Sequence, residues 1–170
     1  MRNNTRGLII HIFVGIIIFF IAYIINLSKI VSSIVYGNII FRLIICLIPI
    51  ILYYNFSKIM TKKRTPKLDY LNGNLIILLA IILFLPAFLA SGFDIFKESV
   101  ASNAFKFPFE IFLTPQIYVI KVLNIPYNLL TVAIATLAPT FIYGLSIRIS
   151  REKISKRQRY MRNTRKRYER

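Results

Sequence analysis

The sequence predicts an all-α integral membrane protein with four transmembrane helices, an interfacial outer segment and a basic cytoplasmic C-terminal helix. Three observations lead there. Of 170 residues 56% are hydrophobic, with a mean hydropathy of +0.63, which excludes an ordinary soluble domain. The apolar residues gather into blocks close to the roughly 20 helical residues that cross a hydrocarbon layer. The formal charge is +17, and the cations alternate with those blocks.

That alternation sets the topology. Arg2 and Arg6 precede the first block, Lys58, Lys62, Lys63, Arg64 and Lys67 separate the second from the third, and eleven Lys or Arg follow the fourth, together 18 of 23. The other two connections hold Lys29, then Lys97, Lys106 and Lys121 against Asp94, Glu98 and Glu110. Segments rich in Lys and Arg stay in the cytoplasm. The expected protein is therefore multi-pass, positive-inside, in the plasma (inner) membrane, with both termini cytoplasmic. Its abundance of Ile, Lys, Asn, Phe and Tyr is that of an AT-rich bacterial genome. Residues 1–147 form the transmembrane domain and 148–170 the basic tail.

The first span is expected at 8–25. Its apolar core is longer than the roughly 7–15 residues of a signal peptide, and no small-residue cleavage site follows, so it reads as a retained helix. His11 lies near its cytoplasmic end. With no His, Cys or carboxylate at ligand spacing, it reads as bonded to a neighbouring helix or turned to the interface, rather than as a metal or proton-relay group. Ile30, Val31, Ile34 and Val35 follow at helical spacing, on a short connection resting on the membrane surface or extending the next span.

The second span, 38–54, contains Arg42 near its outer end, then the lone cysteine, Cys46, and Pro49. A charge within a membrane helix is a functional candidate by default. Arg42 is accordingly the candidate intramembrane polar site: an anion or substrate contact, a partner of Asp94, Glu98 or Glu110, or a cation reaching the headgroups. A basic inner loop follows, broken at Thr65-Pro66 and turned at Asn72-Gly73. The third span, 75–90, is built of Leu, Ile, Ala and Phe, with Pro86 near its outer end.

Residues 91–126 form the interfacial segment. Phe93, Phe96, Phe105, Phe107, Phe109 and Phe112 crowd it, and Pro108, Pro115 and Pro126 punctuate it. Glu110, Thr114, Lys121 and Asn124 fall broadly on one helical face. The pattern is that of an interfacial helix or a shallow re-entrant piece.

The fourth span, 127–147, carries Thr136, Thr140 and Gly144 four apart. Such a small-residue face admits close approach of another helix, within the bundle or between copies. No Gly or Pro interrupts the tail beyond it. Ile147, Ile154, Met161 and Tyr168, seven apart, draw one narrow apolar stripe on a cationic rod. The rod's Arg148, Arg151, Lys153, Lys156, Arg157, Arg159, Arg162, Arg165, Lys166 and Arg167 are suited to anionic lipid. They would also suit an acidic membrane or cytoplasmic protein, or RNA or a ribosome with Tyr160 and Tyr168 stacking on bases.

No catalytic constellation is visible: no paired carboxylates within a helix, no Ser/His/Asp or Cys/His set, no phosphate loop. No cofactor or metal site is expected. The expected function is a non-catalytic accessory, scaffold or regulatory membrane subunit acting through helix packing and its tail. The alternative is a small transporter or channel component for a lipophilic or anionic solute, with Arg42 as its polar contact. Prolines at 49, 86 and 139 favour that alternative, because interrupted helices line sites in transporters.

Overall fold

The structure, a computed structural model, describes residues 3–60, 66–93 and 100–168. Expectations that rest on Arg2, Lys62, Lys63, Arg64, Asp94, Phe96, Lys97, Glu98 and Glu169 lie outside the described residues. So do those on the side chains of Lys67, Arg165, Lys166, Arg167 and Tyr168. What is described is helical, with no strand: α1 (Asn3–Asn26), α2 (Lys29–Gly37), α3 (Ile39–Ser57), a 3₁₀ helix (Pro66–Gly73), α4 (Asn74–Ala90), α5 (Val100–Phe112), α6 (Thr114–Val122) and α7 (Leu129–Tyr168).

Among the described residues four helices are long and apolar enough to cross a membrane: Asn3–Asn26, Ile39–Ser57, Asp69–Ala90 and Leu129–Arg162. Their exposed faces carry Phe13, Ile16, Phe20, Ile44, Leu78, Leu85, Ile134 and Phe141. Apolar patches on that scale need a partner or a lipid phase. α1 and α4 run one way and α3 and α7 the other. We call basal the end where Asn3, the 3₁₀ helix and Ile147 meet, and apical the end with Asn26, Asn38, Ala90 and Leu129.

Local chemistry sets the joints. Asn38 closes α2 and opens α3, accepting a hydrogen bond from the Ile40 amide at 2.9 Å, the usual use of Asn before a helix. α2 buries no residue and exposes Ile30, Val31 and Ile34. α6 ends on Asn124 at φ 55, where the Ile125 amide reaches back to the Ile120 carbonyl at 3.0 Å, a left-handed helix stop.

The helices α5 and α6 depart most from expectation. A single residue, Leu113, separates them. Pro115 has no N–H for the Ile111 carbonyl, and the Thr114 hydroxyl donates to that carbonyl instead, at 2.7 Å. α5 folds back along α4, with Phe109 edge-on to Phe84 at 5.6 Å. α6 buries Pro115, Gln116, Ile117, Ile120 and Val122 against α1, α3 and α7. The break faces His11, eight residues into α1, so at 1.5 Å per residue it lies about 12 Å from the basal end. Of the two forms expected for this segment, interfacial helix or shallow re-entrant piece, the described helices take the re-entrant one, and reach deep into the bundle. A single helical face drawn through Glu110 and Asn124 had joined two helices with different axes.

Two cores result. Val14, Ile18, Tyr53, Met60, Ile76, Tyr143 and Ile147 pack in the basal half. Ala80, Ala87, Phe109, Leu113, Ile117, Ile120 and Val132 pack around α5 and α6.

Candidate functional site

The candidate site is an apical cavity of about 370 Å³ lined by Ala22, Asn26, Tyr36, Arg42, Tyr118, Lys121, Val122 and Asn124. Arg42 stands in the first turn of α3, where the helix dipole alone would disfavour a cation. Two other helix ends reverse that. Its Nε donates to the Tyr36 carbonyl at the end of α2. The surroundings of Asn124, just past α6, assign its amide nitrogen to the Lys121 carbonyl (3.2 Å) and its amide oxygen to Arg42 Nη1 (2.8 Å), the orientation that satisfies both. C-terminal helix carbonyls stabilise a nearby positive charge, so the guanidinium is held without a carboxylate among the described residues. Glu110, one expected partner, is engaged by Lys106 at 3.5 Å and the Tyr127 hydroxyl at 3.0 Å.

A guanidinium carries five N–H donors, and two are used in these contacts. Arg42 lines the cavity together with Lys121, Tyr36 and Tyr118, and the two tyrosine hydroxyls lie 3.5 Å apart. The Asn26 amide nitrogen donates to Tyr36 at 3.3 Å. Among the described residues no carboxylate lines the cavity. Chemically it is a mainly apolar recess with Arg42 and Lys121 in its lining, the Lys121 ammonium lying 6.0 Å from the Tyr127 ring. Sequence reasoning found Arg42 and missed Lys121, Tyr36, Tyr118 and Asn124. Lys121 offered the one signal, a cation within an apolar stretch at the same end of the bundle.

A second polar group of contacts lies deeper. His11 is buried, with Nε2 2.9 Å from the Phe112 carbonyl and Nδ1 2.7 Å from the Tyr53 hydroxyl. A carbonyl only accepts, so Nε2 carries the proton, and in the neutral ring Nδ1 accepts from Tyr53. One imidazole thereby ties α1 to α3 and to the α5–α6 break. This is the neighbouring-helix role expected for it. Cys46 is buried in α3.

Toward the basal end two contacts join α7 to the 3₁₀ helix. Thr140 meets Gly73, and Gly144 meets the Tyr70 ring, both in the 3₁₀ helix. Thr136 is buried and donates to the Val132 carbonyl at 2.8 Å. Arg151, grouped on sequence grounds with the ligand-facing tail cations, is instead engaged by Asp69 through two contacts of 2.6 and 2.7 Å. Asp69 is buried, and a charge there requires a partner. α7 continues without a break to Tyr168. Beyond Arg151 its described side chains are exposed apart from Thr164, and Arg148 pairs with Glu152 at 3.5 Å. Of the heptad stripe Ile147 belongs to the core, whereas Ile154 and Met161 are exposed.

No family model matches the chain, and neither a curated protein nor a solved structure matches it. The class is therefore defined by architecture alone: an all-helical protein with four helices able to span a membrane. Within it, a broken helix pair enters the bundle from the apical end.

Proposed function

We propose that this is a multi-pass plasma-membrane protein, both ends cytoplasmic, whose apical cavity binds the anionic group of a membrane-soluble molecule. It would act as the binding component of a transport or solute-handling system. The observation that carries the reading is the setting of Arg42. It lines a cavity shared with Lys121 and has no carboxylate partner among the described residues. A planar guanidinium matches phosphate and carboxylate oxygens in a fork, and a neighbouring Lys adds a point charge.

Binding of dihexanoyl phosphatidic acid to the full chain in neutral detergent tests this, read by calorimetry. Each charge-assisted hydrogen bond contributes about 1.5–3 kcal/mol. R42Q/K121Q is accordingly expected to bind at least about tenfold more weakly, and a chain ending at Ser150 to bind as the full chain does. Equal affinity in R42Q/K121Q, or loss of binding on truncation alone, sinks the proposal.

The orientation is tested separately. In a Cys46→Ala background, Ser33→Cys on α2 should react with an impermeant maleimide in intact cells. Lys156→Cys should react only after permeabilisation. The opposite pattern inverts the topology.

A second reading, an accessory or scaffold subunit, is supported by the exposure of Lys153, Lys156, Arg157, Arg159 and Arg162 along one helix. Cations beside a membrane attract anionic lipid at about 1 kcal/mol each, and the same row suits an acidic protein partner or RNA.

A further inference from the structure

The prolines of three different helices meet at one place. Pro49 of α3, Pro115 of α6 and Pro139 of α7 line a laterally open cavity of about 280 Å³. Its walls are otherwise aliphatic, apart from Tyr53, Thr131 and Gln116. Thr131 is already engaged, its hydroxyl lying 2.7 Å from the Pro126 carbonyl. Tyr53 is engaged by His11 at 2.7 Å. Gln116 is different. It is 6% exposed, and although its carboxamide approaches the Tyr53 hydroxyl, neither amide atom makes a hydrogen bond of acceptable geometry.

A buried amide whose bonding capacity is left largely unmet is costly, and native structures seldom keep one without a use. The Tyr53 and Thr131 hydroxyl protons are committed to His11 and the Pro126 carbonyl, so neither hydroxyl donates to the Gln116 oxygen. We propose that this cavity binds a neutral lipophilic carbonyl compound whose oxygen accepts from the Gln116 amide nitrogen. The lining dictates each part of that description. With no charged side chain in the lining, an ionic ligand would lose its hydration without compensation. Aliphatic walls and a lateral opening suit an apolar body arriving from the membrane. The amide's unmet donors call for an acceptor, and its own oxygen, the less costly group to leave unpaired, can remain free. This site is separate from Arg42 and does not depend on the anion reading.

The experiment is photolabelling of the full chain in detergent with benzophenone, a ketone that inserts into nearby C–H bonds on irradiation. Labelled peptides should contain 49–53 or 134–142. Fluorenone should protect them about tenfold better than fluorene, its carbonyl-free counterpart, which is the ratio an ordinary net hydrogen bond carries. Gln116→Leu should lower labelling of those peptides by a similar factor. The fluorenone and fluorene comparison needs no variant, so it stands even if Gln116→Leu misfolds. Equal protection by the two compounds, labelling scattered over the outward faces of the helices, or unchanged labelling in a folded Gln116→Leu protein would overturn the assignment.

Discussion

Gly73→Val is expected to cost the chain its folded state in mild detergent, or to lower its thermal midpoint by at least about 6–12 °C. A Cβ built at Gly73 lies 2.3 Å from Thr140 Oγ1 and 2.9 Å from Thr140 Cα. The second contact is backbone and cannot rotate away. Overpacking a close-packed site costs about 1–3 kcal/mol and more where nothing can yield. About 3 kcal/mol corresponds to that midpoint shift for a chain of this size. Gly7 stands in a similar position, its Cβ falling 2.6 Å from the Asn72 carbonyl oxygen. Gly37 supplies the control, because a Cβ there meets nothing within 4 Å, and Gly37→Ala should leave the midpoint unchanged. Fluorescence-detected size-exclusion after heating measures both. A midpoint for Gly73→Val equal to that of Gly37→Ala would show that the 3₁₀ helix does not dock on α7 as described.

Those glycines show how far the sequence could be read. The spans were legible because a bilayer-length apolar run has few other uses. The close-approach face at Thr140 and Gly144 was legible because small residues four apart leave one side of a helix bare. What fills it was not. Tyr70 and Gly73 belong to a segment whose Pro66, Lys67, Asp69 and Asn72 read as a polar turn, and no local pattern announces that such a turn docks on a helix far along the chain. His11 was legible as bonded to a neighbouring helix or turned to the interface, but its partners Tyr53 and Phe112 stand 42 and 101 residues away. Arg42 was legible as a polar group near one membrane face. Its acceptors include a backbone carbonyl, a group every residue owns, so the sequence pointed to carboxylates instead. A re-entrant form was one of the two readings open for α5 and α6, but its depth was not legible, for a geometric reason. Periodicity across Leu113 was read on one axis, whereas Pro115 starts a second.

Arg151→Met is expected to destabilise the protein by about 3 kcal/mol, the lower end of the range for removing one partner of a buried ion pair. Asp69 would be left with a side chain 3% exposed and no cation among the described residues, while Arg151 itself is 24% exposed. That asymmetry orders the variants. Asp69→Asn should be milder, because the freed guanidinium can turn toward water or headgroups. Asp69→Asn/Arg151→Met should recover most of the loss, since no uncompensated charge remains. A tail cation that serves only as a lipid contact makes the opposite forecast: Arg151→Met would match Lys156→Met, and adding Asp69→Asn would recover nothing. Thermal midpoints of the four proteins decide between them. The pair matters beyond stability because of where it stands. Arg151 lies four residues past Ile147, the last core residue of α7, and Asp69 lies in the segment that Gly73 and Tyr70 press against that helix. An ion pair at that joint holds the first turn of the tail against the basal end of the bundle. The remaining cations of the tail then leave along one fixed line, whatever anionic surface they meet.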